Sequence, residues 1–266
     1  MLRKLLKYEL KATGRTLLPL YIALVIFAII NRFILGSSPT IETPAAISMI
    51  VYISVLIGTL VMTLIVMIQR FNKNLLSDEG YLMFTLPTTP WKHIVSKLLV
   101  SMMWTIAGGV IAFSSILILA ADEIDLAVLF EMIGDVLRLF TESPAGLSSF
   151  FIVLELLLLG FISLASGVLI IYASIAIGHL TSKHRVLVSL GAYIGLFTLS
   201  QILAALLGSI PVLSYMTDYN GHVPDFPSAL PQLHLVLWTL ILFIAFLSAL
   251  YFAITNTILN KRLNLE

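Results

Sequence analysis

Cysteine is absent from this chain, which excludes disulfides, thiolate metal sites and cysteine nucleophiles together. Charge is scarce as well: Asp, Glu, Lys and Arg make up 11% of 266 residues, against roughly 25% in soluble domains. No Gly-x-x-x-x-Gly-Lys-Ser/Thr loop and no Gly-x-Ser-x-Gly turn occurs. The backbone cradle of a P-loop ATPase and the nucleophile turn of a hydrolase are therefore both missing. The five histidines, His93, His179, His184, His222 and His234, are scattered, and no two lie four residues apart as a helical zinc pair requires. Neither an enzyme nor a metal site is expected on this chain, and no nucleic-acid partner.

What is present is apolar. Hydrophobic residues reach 59%, with a mean hydropathy of +1.06. Six runs are long enough to cross a bilayer as helices, each needing roughly 20 residues. They span about 17–35, 45–68, 98–121, 150–177, 186–210 and 233–255. Barrel strands would be short and would alternate polar with apolar, whereas these runs are apolar throughout. The expected fold is all-α, a single polytopic domain over residues 1–266 with six transmembrane helices. The first run is long and follows a basic segment with no small-x-small cleavage site, so it reads as a retained anchor.

Orientation follows from the basic residues near the helix ends. Of the 15 Lys and Arg, only Arg32 and Arg138 fall on one side. The other side takes the remainder, from Arg3, Lys4, Lys7, Lys11 and Arg15 through Arg70, Lys73, Lys92 and Lys97 to Lys183, Arg185, Lys261 and Arg262. Both termini are expected in the cytoplasm. Asp122, Glu123, Asp125, Glu131, Asp135 and Glu142 concentrate on the opposite, outer side.

The segments between spans carry patterns of their own. Residues 1–16 set Leu2, Leu5, Leu6 and Leu10 on one helical face and Lys4, Lys7, Lys11 and Arg15 on another. This suits either an amphipathic elbow helix along an anionic leaflet or a basic flank that fixes topology. The outer loop 122–148 reads as an amphipathic helix, with Glu131, Asp135, Arg138 and Glu142 on one face and Ile124, Val128, Met132 and Val136 on the other. It either caps the outer mouth of a pathway or lies on the leaflet. The last outer loop, 211–231, is rich in proline and is either irregular or a short broken helix.

The cytoplasmic loop 69–97 is the most patterned. Ser77 suits an N-cap, with Asp78 and Glu79 in the first turn where the helix dipole favours acids, and Pro87 ends the short helix they begin. Thr89 then reads as a second N-cap with Pro90 at the first helical position, so a new helix starts there and runs into the third span. The turn between the two is stiff. The short helix carries Tyr81, Leu82, Met83, Phe84 and Leu86 at the level of water or headgroups. Such an apolar cluster wants a partner, either the membrane interface or a groove on a soluble protein.

Over about thirty residues this loop, QRFNKNLLSDEGYLMFTLPTTPWKHIVSKLL, resembles that of bacterial ABC exporter permeases of the second type, six-helix membrane subunits akin to type V exporters. Outside the loop the general plan agrees: a basic amphipathic start, six spans, both termini inside and no ATPase domain. The resemblance implies a subunit of the bacterial plasma membrane that pairs with a second permease, as homodimer or heterodimer. Each permease would rest on a separate cytoplasmic ABC ATPase, which would carry the ATP and Mg. It also implies a coupling helix, made here of Asp78, Glu79, Gly80, Tyr81, Leu82, Met83, Phe84 and Leu86. Gly80 would allow close approach, and Tyr81, Met83 and Phe84 would fill a groove of the ATPase. The implied activity is ATP-driven export, and the apolar spans favour an amphipathic cargo such as a peptide antibiotic, a drug or a lipid.

Within the spans, small residues recur at helical spacing. Gly191, Gly195, Ser200, Ala204 and Gly208 mark the fifth span, and Ser163, Gly167, Ser174 and Gly178 the fourth. They allow close helix packing, within one chain or across a dimer. Glu155 is the one acid within a span; it either serves the pathway or snorkels to the outer surface. Gln201 either lines a pathway or bonds a neighbouring helix. A secondary transporter or channel, and a scaffold that binds an ATPase without transporting, are the alternative functions.

Overall fold

The computed structural model describes residues 2–36, 42–75, 89–120, 146–181, 183–209 and 226–261, with 128, 131, 134, 135 and 138 as further helical positions or their flanks. Six long helices follow in order: α1 (Leu2–Gly36), α2 (Glu42–Leu75), α3 (Pro90–Leu119), α4 (Gly146–Gly178), α5 (Arg185–Gly208) and α6 (Phe226–Lys261). All six are long and apolar enough to cross a membrane, and the described residues contain no strand. Each helix begins before its apolar run, and α1, α2, α4 and α6 also end beyond theirs, because intrahelical hydrogen bonding does not stop where the hydrocarbon does.

Two compact units divide the chain, Met1–Met132 and Ile133–Glu266. In the first, α1 packs chiefly along α3 and then along α2. Leu17, Tyr21, Val66, Val100 and Trp104 form its main buried cluster, and Leu24, Ala28 and Tyr52 a second one further along. In the second unit α4 is central, with α6 and α5 laid against it. Ile152, Leu230 and Leu237 form the buried cluster where α4 meets α6. In lipid, apolar side chains gain little by leaving the solvent, so van der Waals fit and interhelical hydrogen bonds hold such helices together.

The separate N-terminal elbow is a point of difference. Residues 2–16 are the opening turns of α1, which continues unbroken through Pro19 to Gly36. The physical reason lies on α3: Leu6 and Leu10 pack on the Leu17–Trp104 cluster, and Glu9 and Thr13 bond to α3 side chains. Those contacts hold this segment against α3. Of the amphipathic helix expected over 122–148, most residues lie outside the described ones. At its described positions Arg138 and Asp135 are exposed and paired to each other at 3.5 Å.

Candidate functional site

Asp78, Glu79, Gly80, Tyr81, Leu82, Met83, Phe84 and Leu86 lie outside the described residues, but both flanks of their loop are built. On the α2 side Phe71 and Leu75 are fully buried. On the α3 side Thr89 has the extended backbone of an N-cap and Pro90 opens the helix, as its fixed φ and missing N–H favour. Trp91 is exposed, with the Lys92 ammonium 5.6 Å from its ring centroid. His93, Ile94, Ser96 and Lys97, by contrast, are buried.

About two turns from its start, α3 is bonded to α1. Lys97 Nζ donates to Glu9 Oε1 at 2.6 Å, with the two side chains only 4% and 12% exposed. One turn on, Thr13 Oγ1 donates to the Glu9 carbonyl at 2.8 Å and accepts from Trp104 Nε1 at 2.7 Å. Deeper still, the Tyr21 hydroxyl donates to the Trp104 carbonyl at 3.0 Å and lies 3.1 Å from Thr63 Oγ1 of α2. Gly108 leaves room for that hydroxyl, since a Cβ there would come within 2.9 Å of it. Towards the far end, Ser48 donates to Asn31 Oδ1 and Tyr52 pairs with Ser115. The result is a ladder of polar contacts along one face of α1, at positions 9, 13, 21 and 31. Each such bond contributes about 0.6 kcal/mol in a bilayer; their larger effect is to fix the register of the three helices.

In the second unit Glu155 has a partner. His234 Nδ1 of α6 lies 2.8 Å from both Oε1 and Oε2, and the side chains are 26% exposed for His234 and 10% for Glu155. The pair sits in the Ile152–Leu230–Leu237 cluster, near the end at which α4 and α6 begin. Sequence reading missed His234 by treating the histidines as scattered. The available signal was that α4 to α6 carry, between their terminal residues, one acid and one histidine and no other charged side chain.

Gln201 is exposed on α5 and lines a cleft of about 420 Å³ between α5 and α6. Ser200, Ala204 and Gly208 form the α5 wall of the cleft, facing Val236, Leu240 and Phe243 among others on α6. Among the described residues, a Cβ at Gly191, Gly195 or Gly208 would meet nothing within 4 Å, so no described neighbour packs closely on these positions. Gly178 is used so. Here the chain turns from α4 into α5, and an added Cβ would overlap Ser189 Oγ and lie 2.7 Å from the Arg185 carbonyl oxygen. His184, with φ 57°, takes the left-handed conformation that starts α5.

His179, just past the end of α4 at this corner, has its pKa lowered by burial first and by the Arg185 charge second. The folded chain thus resists protonation that the unfolded chain accepts. Stability is unaffected above the ordinary value of 6.5 and falls as pH drops below it. Thermal unfolding in detergent should show this acid-side loss, and His179→Gln should flatten it; an unchanged profile would place the acid sensitivity elsewhere.

These features define a multi-pass, all-α membrane protein. No protein-family model matches the chain, and no curated protein or solved structure matches it.

Proposed function

We propose that the chain is the membrane-spanning subunit of an ATP-driven ABC exporter, pairing with a second permease and two cytoplasmic ATPases to move an amphipathic cargo. Both termini would face the cytoplasm of a bacterium, as the basic residues favour. The observation that carries the reading is that the apolar sequence DEGYLMFTLP immediately precedes α3, a helix whose base is bonded to α1. An ATPase that closes on ATP and pulls this loop would act on Pro90 and Trp91 first. The buried Glu9–Lys97 pair and the Thr13–Trp104 bond would then make α1 follow α3 as one body. Alternating exposure of a cavity between two permeases needs such rigid elements.

Purification from the native membrane in mild detergent tests this. A soluble ATPase should accompany the chain, and Phe84→Asp should reduce its recovery at least about tenfold, the effect of losing one anchor residue. Undiminished recovery with Phe84→Asp, or no ATPase beside a folded permease, would sink the reading.

A transporter driven by an ion gradient is the second reading, and the Glu155–His234 pair within the spans favours it. Transport that continues without ATP and stops when the proton gradient is collapsed would put it first.

A further inference from the structure

We infer that Glu155 and His234 form a proton-binding site whose occupancy sets how tightly α4 and α6 close at the end where both helices begin. The inference holds whether ATP or a gradient drives the protein.

It starts from charge and place. Three helices, α4, α5 and α6, contribute one acid and one histidine between their terminal residues, and these two, 79 residues apart in sequence, meet at 2.8 Å. Nδ1 is equidistant from both carboxylate oxygens, so it faces the carboxyl as a donor to an ionised acid or an acceptor from a protonated one. With Glu155 ionised and His234 neutral, the pair carries one negative charge among Ile152, Leu159, Leu230, Leu233 and Leu237. One added proton makes it net neutral, as an ion pair or as a neutral acid beside a neutral imidazole. An uncompensated charge in apolar surroundings is costly, whereas a paired or neutral one is not.

Among the described residues of α4, α5 and α6, no other group near the pair can supply the missing charge. Glu155 is the only charged residue of α4 and His234 the only titratable one of α6 apart from Tyr251 and the terminal Lys261. Tyr172 on α4 and Tyr251 on α6 are each 17 residues further along, about 25 Å at helical rise. α5, packed on α4, carries only Arg185 at its first residue and Tyr193, both towards the opposite end from Gly208. Asp135 and Arg138 are exposed and paired with each other. Among the described residues the pair therefore depends on a proton from outside it, and about a quarter of the His234 side chain is left uncovered by the protein.

Histidine takes up and releases protons between about pH 5 and pH 8. Loss of the proton leaves a buried charge that is relieved when the helix ends part and water enters; uptake draws them together.

The absence of cysteine makes a clean measurement possible. Spin labels on cysteines introduced at Leu154 and Leu235, both exposed residues beside the pair, report the α4–α6 distance by pulsed electron resonance in lipid nanodiscs. Raising the pH from about 5 to about 8 should lengthen it by about 2 Å or more, the scale of helix shifts in switching proteins. The double variant E155Q/H234Q, which keeps two hydrogen-bonding side chains without a titrating pair, should give one distance at both values. If that variant aggregates, His234→Arg replaces it, since an arginine stays charged throughout and should hold the short distance at both. A pH-independent distance in the parent protein, or an equal shift in either variant, overturns the inference.

Discussion

Lys97→Met should destabilise the fold by about 3 kcal/mol, the scale of breaking a buried ion pair by removing one partner. Glu9 would lose the ammonium it holds at 2.6 Å and keep its carboxylate against α3 with little water to solvate it; its side chain is 12% exposed. Thermal unfolding in detergent should fall accordingly. The double variant Glu9→Leu with Lys97→Met should recover most of the loss, since a well-packed apolar pair of similar volume often equals a buried ion pair. A Lys97→Met protein as stable as the parent would mean that the Glu9 carboxylate does not depend on the Lys97 ammonium. The same variants bear on mechanism. Glu9→Leu/Lys97→Met keeps α1 and α3 in contact but deletes the charged part of their latch. Under the exporter function proposed above, any loss of transport that remains once stability is restored would be assigned to the transmission between loop and spans.

Gly178→Ala is expected to be the most damaging change at a glycine, about 2 kcal/mol or more for overpacking a site that cannot relax. The added methyl would meet Ser189 Oγ, which is held to the Arg185 carbonyl at 2.9 Å, and that carbonyl itself. Ser189→Ala in the same chain removes one obstacle and leaves the backbone oxygen, so it should return only part of the stability. The control is Gly195→Ala, where a Cβ meets nothing within 4 Å and little change is expected. Equal unfolding temperatures for the two alanine variants would count against the tight corner between α4 and α5.

The contrast between those glycines shows how far sequence spacing reaches. Gly178, Gly191 and Gly195 all belong to small-x-x-x-small patterns, and nothing in the pattern says which one meets a neighbour. Meeting depends on which face of α4 turns towards α5, and that is set by the whole helix surface. The same holds for charges. Glu155 was legible as an unusual acid within a span, yet its partner lies 79 residues away. Lys97 was legible as a basic residue near a helix end, while its partner Glu9 is 88 residues away on a segment whose spacing also suits a surface helix.

By itself the sequence determined the six spans, the all-helical class, the start of α3 at Pro90 and the exclusion of cysteine chemistry. These depend on composition and on local backbone chemistry: apolar runs must satisfy their hydrogen bonds internally in lipid, and proline can open a helix but lacks the N–H to continue one. Tertiary structure alone decided that α1 runs unbroken from Leu2, that its polar face is bonded to α3, and that Glu155 faces His234. A helical pattern fixes which residues share a face but not what that face meets, because in a membrane nearly every face is apolar. The few polar side chains then choose the partners, through contacts between residues that are distant along the chain.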